Sequence, residues 1–285
     1  MCKVTSIETY LKWVYGCGHL EVAGTTWQQL HLFFRGQADK DWKLQPSVFV
    51  NKEDEFQLLH DAYRHAWKYL QDYPTDLEKM IVLQHYGLHT RLLDLTSNPL
   101  IALYFACVGE GQKDKDGKVF CYCAKSKNED GRARIIAKTI AKGVSKTSGV
   151  NQFLMNEFSH IVIHPKDSPI NIESFEKWKK ELFIPQFFVS PFNNHRITSQ
   201  RGAFIIAPLH ENDSEIGFHF DQNSIESMED WHSTKAIVAS ESKAKILKEL
   251  EMCGIDESTV YPDLEHLLRF LNCKYQSDQR FKVVF

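Results

Sequence analysis

The sequence predicts an α+β fold with a mixed or antiparallel sheet core and flanking helices, on three observations. Strand-like and helix-like segments intermix without strict βαβ alternation. The most apolar run, Leu100 to Val108, directly follows a helix-start signature, so it marks a central helix. The strand candidates are short runs rich in β-branched and aromatic residues.

Taken in order, Ser6 to Val14 reads as a helix capped by Thr5, with Ile7, Tyr10, Leu11 and Val14 at helical spacing and Glu8 three residues after the cap. Leu30 to Arg35 is an apolar run that ends in a charge and reads as a buried strand. Phe56, Leu59, Ala62, Tyr63, Ala66 and Tyr69 space out one amphipathic helix over Glu53 to Tyr69. A turn at Pro74 leads to a second helix, Asp76 to His85. Asn98 caps the helix that begins at Pro99, where a missing amide hydrogen costs nothing. Val119 to Ala124 and Phe158 to His164 read as strands, as do Ile184 to Val189, Ala203 to Ala207 and Ala236 to Val238. Lys243 to Met252 is a helix ending at Gly254, and a last helix covers Pro262 to Leu271. With no internal repeat or low-complexity linker, one domain is expected over residues 1–285: a lead-in at 1–26, a core at 27–270 and a tail at 271–285.

Composition fits this picture. Of 285 residues, 43% are hydrophobic and 25% charged, enough for a core and without a disorder signature. A net charge of −3 gives no chain-wide attraction for nucleic acid or anionic membrane, so any polyanion contact is local. The start Met1 to Thr5 is not that of a secretory signal, and no run of eighteen apolar residues occurs, so a cytoplasmic protein without membrane contact is expected. The seven cysteines are scattered and odd in number, which suits reduced thiols. Cys121 and Cys123 have no second pair to complete a zinc site, so no metal is expected.

Three polar motifs are candidates for one nucleotide-sized site. Phe34, Arg35, Gly36 and Gln37 set a guanidinium beside a glycine that permits close backbone approach; the arginine serves phosphate or carboxylate binding, or a structural ion pair with a residue such as Asp94. The second motif runs from Gln84, His85, Tyr86 and Gly87 through Thr90, Arg91, Asp94, Thr96, Ser97 and Asn98 to Tyr104 and Phe105. Its free helix amides and hydroxyls suit an anionic or ribose-bearing ligand, with His85 and Tyr86 as acid-base or stacking groups; alternatively Asp94, Thr96 and Asn98 only brace a turn. The third, Asn193 to Arg196 and then Gln200 to Phe204, aims a polar group into a cleft or makes a bulge. The basic stretch Lys125 to Ser148 is a solvated face or a phosphate patch. Gly-rich phosphate loops, a metalloprotease helix and a nucleophile-elbow serine are missing from the sequence.

Together these segments resemble the FRG domain family, named for the tripeptide Phe34, Arg35, Gly36. The later marks are His85, Tyr86, Gly87; Thr90, Arg91, Leu93, Asp94; Asn98, Pro99 with Ala102 and Phe105; Arg196 to Phe204; and Tyr261, Pro262, Asp263, Leu264. The resemblance spans Trp27 to Phe270. It implies a likeness to ADP-ribosyltransferases, in which a first-strand arginine holds NAD, a Ser/Thr-rich second strand shapes the pocket and a late residue acts on the nicotinamide ribose. On that likeness Arg35, Thr96, Ser97 and Gln200 are the catalytic candidates, with Asp94 able to supply a carboxylate where Gln200 departs from the glutamate of many such transferases. Phe34, Gly36, His85, Tyr86, Arg91, Asn98, Tyr104 and Arg196 would join Arg35 in holding NAD, the co-substrate. The implied role is a toxin or antiphage effector that modifies RNA or DNA and is restrained by a neutralising antitoxin protein. The alternatives are a non-catalytic nucleotide- or nucleic-acid-binding module and an assembly or scaffold protein.

Overall fold

The computed structural model describes residues 2–17, 30–51, 54–109, 111–125, 131–143, 150–161, 171–189, 195–209, 232–262 and 268. The strands are β1 (Cys2–Val4), β2 (Leu30–Gln37), β3 (Leu92–Thr96), β4 (Gly117–Lys125), β5 (Gln186–Val189), β6 (Gly202–Ile206) and β7 (His232–Val238). The helices are α1 (Ile7–Cys17), α2 (Ser47–Val50), α3 (Glu55–His65), α4 (Trp67–Leu70), α5 (Asp76–His85), α6 (Pro99–Cys107), α7 (Gly131–Ala141), α8 (Val150–Ile161), α9 (Ile172–Lys180), α10 (His195–Ser199), α11 (Lys243–Met252) and α12 (Glu257–Val260). Among the described residues the strands make one sheet in the order β1-β7-β4-β2-β3-β6-β5. Only β1 and β7 run parallel; the other neighbours are antiparallel. The α+β class and the mixed sheet with flanking helices are therefore as expected.

Strand alternation sorts the side chains onto two faces. Phe34, Val119 and Cys121 point to the face covered by α6 and α11, where they meet Ala102, Leu103, Ile246 and Leu250. Further along the same face, Leu92, Phe204 and Ile206 meet Met80 and Ile81 of α5 and Ile136 and Ile140 of α7. The opposite face carries Phe33, Leu93, Leu95, Phe120, Tyr122 and Ile205. The two helical clusters meet at the β2–β3 boundary. There β2 pairs with β4 from Leu30 to Gln37, yet with β3 only where Phe34 faces Thr96. The sheet is open along that seam.

Local chemistry explains the helix starts. Asn98 Oδ1 accepts from the Leu100 amide at 3.0 Å with Pro99 in the first turn, and Thr75 and Glu78 form a capping box on α5. Helix α6 lies directly on two glycines: a Cβ at Gly36 would sit 1.9 Å from the Ala102 carbonyl oxygen, and one at Gly117 would sit 2.2 Å from that of Ala106.

Four expectations are corrected. Ser6, not Thr5, caps α1, its Oγ accepting from the Thr9 amide at 3.2 Å, while Glu8 pairs with Lys12. The single helix over Glu53 to Tyr69 breaks at Ala66, which leaves the helical region with ψ 15. Phe158 belongs to helix α8, because Leu154 and Phe158 bury one helical face; residues 162–164 lie outside the described residues. Within Lys125 to Ser148, helix α7 is not solvated all round: Ala133, Ile136, Ala137 and Ile140 are core residues while Arg132, Arg134 and Lys138 stay partly exposed, and residues 126–130 and 144–148 lie outside the described residues. Of the expected last helix, Pro262 to Leu271, only Pro262 and Leu268 are described, and Leu268 is helical.

Candidate functional site

The open seam holds a cavity of about 340 Å³. Its floor is Phe34, Gly36, Asp94, Thr96, Gly202 and Phe204 of the sheet; α5 supplies Ile81, Gln84 and His85, α6 supplies Phe105, and Gln200 and Tyr261 close the far side. Arg35 and Gln37 alternate onto the face opposite Phe34, but because β2 and β3 part here they also reach the cavity wall.

Arg35 is half-buried and spends one Nη1 hydrogen on the Asp94 carbonyl oxygen at 2.7 Å. Its Nε is buried with no partner among the described residues, and so is Gln37 Oε1. Burying such groups without partners costs about 1–3 kcal/mol each, which natural folds retain chiefly where a ligand or water completes them. A relay sets the Asp94 carboxylate: the Thr90 hydroxyl donates to Gln84 Oε1, which turns Gln84 Nε2 toward Asp94 Oδ1 at 2.7 Å. The exposed Asp94 side chain thus meets the cavity with Oδ1 fixed.

The third motif arrives from the far strand. Thr96 Oγ1 donates to the Gln200 carbonyl oxygen at 2.6 Å and accepts from the Asn98 amide at 2.9 Å, tying β3, α6 and the α10–β6 turn together. Gln200 lines the cavity, and its Nε2 donates to the Val260 carbonyl oxygen at 3.1 Å. Arg201 holds the turn with φ 47, and its carbonyl oxygen accepts from the Ser97 amide at 3.1 Å.

Of the predicted site residues, Phe34, Arg35, Gly36, His85, Asp94, Thr96 and Gln200 are brought together here. Others have different work. Arg91 is fully buried, held by Glu55 at 2.6 to 2.9 Å and by the carbonyl oxygens of Ala207 and Pro208; it binds α3 to the end of β6, not a cofactor. Asn98 is spent as a helix cap, and Ser97 is exposed off the cavity wall, turned toward Arg201. Tyr104 is a core residue whose phenol burial pushes well above its ordinary pKa, and Tyr86 is 79% exposed beyond the end of α5, so neither is a ring platform for this cavity. Gly36 admits helix α6 rather than a ligand. The Arg196 side chain lies outside the described residues.

Sequence reasoning missed Trp42 and Tyr261 as wall residues and Glu55 as the partner of Arg91. The signal for Trp42 is an indole in the polar loop Asp39, Lys40, Asp41, Trp42, Lys43. A second, wider chamber of about 650 Å³ adjoins the cavity, sharing Arg35, Gln37, Trp42, Gln84 and Asp94 as its wall.

The FRG domain model matches residues 30–115. The chain carries an FRG domain. The matched segment runs from β2 to the loop before β4, so it includes Arg35, Gln84, Asp94 and Thr96 and ends short of Gln200 and Tyr261. In the FRG domain the tripeptide thus divides its work: Phe34 packs the core, Arg35 faces the cavity and Gly36 seats α6. Among curated proteins and solved structures nothing matches the chain. No group of side chains suited to hold a metal ion and no helix long and apolar enough to cross a membrane occurs among the described residues.

Proposed function

We propose that this protein is an NAD-dependent ADP-ribosyltransferase, with an ADP-ribosyltransferase-like fold and its donor site in the seam cavity. The observation that carries the reading is Arg35: a guanidinium at the open β2–β3 boundary with one hydrogen committed to backbone, its Nε unpartnered among the described residues, and Thr96 and Gln200 across the floor. Uncommitted guanidinium hydrogens in a partly desolvated cleft suit a pyrophosphate.

The donor set fits the dinucleotide. Arg35 would hold the phosphates, Gln84 and Asp94 the ribose hydroxyls, and Phe105, Tyr261 and His85 the flat walls around a ring. When bound, NAD supplies the ADP-ribosyl group, with neutral nicotinamide as leaving group. Catalysis by the chain then rests on positioning and on negative charge near the reacting carbon. Asp94 is better placed than Gln200 to provide that charge, because its carboxylate meets the cavity while the Gln200 amide is donated to Val260. The expected acceptor is nucleic acid, as for a toxin or antiphage effector. On helix α7 two of the basic side chains are already paired, Lys138 with Glu157 at 2.6 Å and Arg132 with Glu181.

The second reading, a non-catalytic nucleotide-binding module, is favoured by that same Gln200 amide in place of a free carboxylate. Transfer of label from NAD to RNA, single-stranded DNA or lysate protein separates the two. Transfer that is lost in Arg35→Ala supports the enzyme; tight NAD binding with no nicotinamide released against any acceptor supports the module.

A further inference from the structure

We propose that the second chamber seats one unstacked base of a single-stranded nucleic acid, laid against the indole of Trp42. Calling this the acceptor subsite rests on the transferase reading above; the binding itself does not. Three features of the chamber lead to it.

Trp42 is 46% exposed at the chamber wall, while its loop is held by its own bonds: Asp41 N–H to Asp39 Oδ1 at 2.9 Å and Trp42 N–H to the Asp39 carbonyl oxygen at 3.3 Å. An apolar ring kept at a concave surface by an ordered loop gains most from a flat partner, and every base offers one.

The chamber is also lined by the uncharged side chains Gln45, Ser47 and Asn51, each both donor and acceptor, with Asn51 Nδ2 2.9 Å from His89 Nδ1. Gln37 is 5% exposed, lines the same chamber and keeps its Oε1 without a partner among the described residues, an acceptor that the exocyclic amino group of a base would satisfy after a rotation of the amide. Paired donors and acceptors beside an aromatic face are what reading the edge of a flipped-out base requires.

The third feature is charge. Arg35 and Lys43 are balanced by Asp41 and Asp94, so the chamber selects neither a cationic peptide side chain nor the dense phosphates of a duplex. Stacking and hydrogen bonding remain as the means of recognition, and these need an unpaired base.

The test is fluorescence anisotropy of labelled single-stranded RNA and DNA octamers and of the matching duplexes, with the full chain and no NAD, alongside a separate calorimetric titration of NAD. The expected results are preference for single strands, a loss of roughly ten-fold or more in Trp42→Ala and near wild-type binding in Trp42→Phe, as loss of one stacked base requires. The affinity should fall only shallowly with salt, because about two cations at most contact phosphate. Equal binding of duplex and single strand, no oligonucleotide binding, or unchanged binding in a Trp42→Ala variant with wild-type circular dichroism would overturn the proposal. So would Trp42→Ala weakening NAD as much as the octamer, which would assign the chamber to the dinucleotide. NAD binding without octamer binding removes this inference alone; octamer binding that depends on Trp42, without NAD binding, removes the transferase reading and leaves the base chamber standing.

Discussion

Arg35 and Asp94 face each other across the parting of β2 and β3, the guanidinium Nη1 donating to the aspartate's carbonyl oxygen at 2.7 Å. The contact uses backbone, so the Asp94 carboxylate stays outside any ion pair with Arg35, fixed instead by Gln84. One residue keeps positive charge and the other negative charge at the same cavity, which a direct salt bridge between them would have cancelled.

Asp94 and Gln200 should therefore respond differently. Asp94→Asn removes the only carboxylate lining the described cavity, and nicotinamide release should fall about 100-fold or more with little change in NAD affinity. Gln200→Glu would set a carboxylate against the Val260 carbonyl oxygen, so it should cost about 1–3 kcal/mol of stability and bring no gain in rate. Steady-state kinetics and urea unfolding of both variants check this.

Gly36→Ala should destabilise by about 3 kcal/mol or more, since the new methyl would lie 1.9 Å from the Ala102 carbonyl oxygen and α6 would have to leave the sheet. Chemical denaturation reads the loss. A stable variant would mean that the glycine serves ligand approach after all.

For the buried pair, Arg91→Met should cost about 3–5 kcal/mol by leaving the Glu55 carboxylate buried and unmatched, and the double variant Arg91→Met with Glu55→Leu should recover most of it. A double-mutant cycle in urea measures the coupling. Restoration would mark the pair as structural, consistent with its place outside the cavity lining.

The acid limb of stability should depend on Asp116. Its carboxyl is held below the ordinary range by hydrogen bonds from Lys40 and from the Ser240 amide. A carboxyl whose folded pKa lies below its unfolded value contributes stability that is complete above the unfolded value, near 4, and is lost as the pH falls through the folded one. Asp116→Asn should flatten the fall in stability below about pH 5 while changing little of its shape above pH 6. Urea midpoints measured across that range decide it.

Much of the fold is legible in the sequence because local rules govern it. The turn at Pro74 and the cap Asn98 with Pro99 announce helices α5 and α6, and the apolar run from Leu30 that ends in Arg35 announces β2. The failures have physical causes. Phe158 and Ile161 look like strand residues by type, yet Leu154 and Phe158 face one core as a helix does, so tertiary packing overrode propensity. At the candidate site, Arg35, His85, Asp94, Thr96 and Gln200 of the three sequence motifs line one cavity, but residue type could not distinguish Arg35, facing that cavity, from Arg91, buried against Glu55. That distinction depends on a glutamate 36 residues earlier, which no local pattern reveals. Trp42 was hidden for the opposite reason: a single exposed aromatic gains meaning only from the chamber it borders.

Calorimetric titration of NAD into the wild-type chain and into Arg35→Ala tests the central claim most directly. Arg35 makes one hydrogen bond to the rest of the described chain, so the variant should fold with a loss of about 1 kcal/mol, and NAD affinity should drop by roughly 100-fold as a charge-assisted phosphate contact is removed. Equal NAD affinity in the two folded proteins would contradict a nucleotide site built on Arg35.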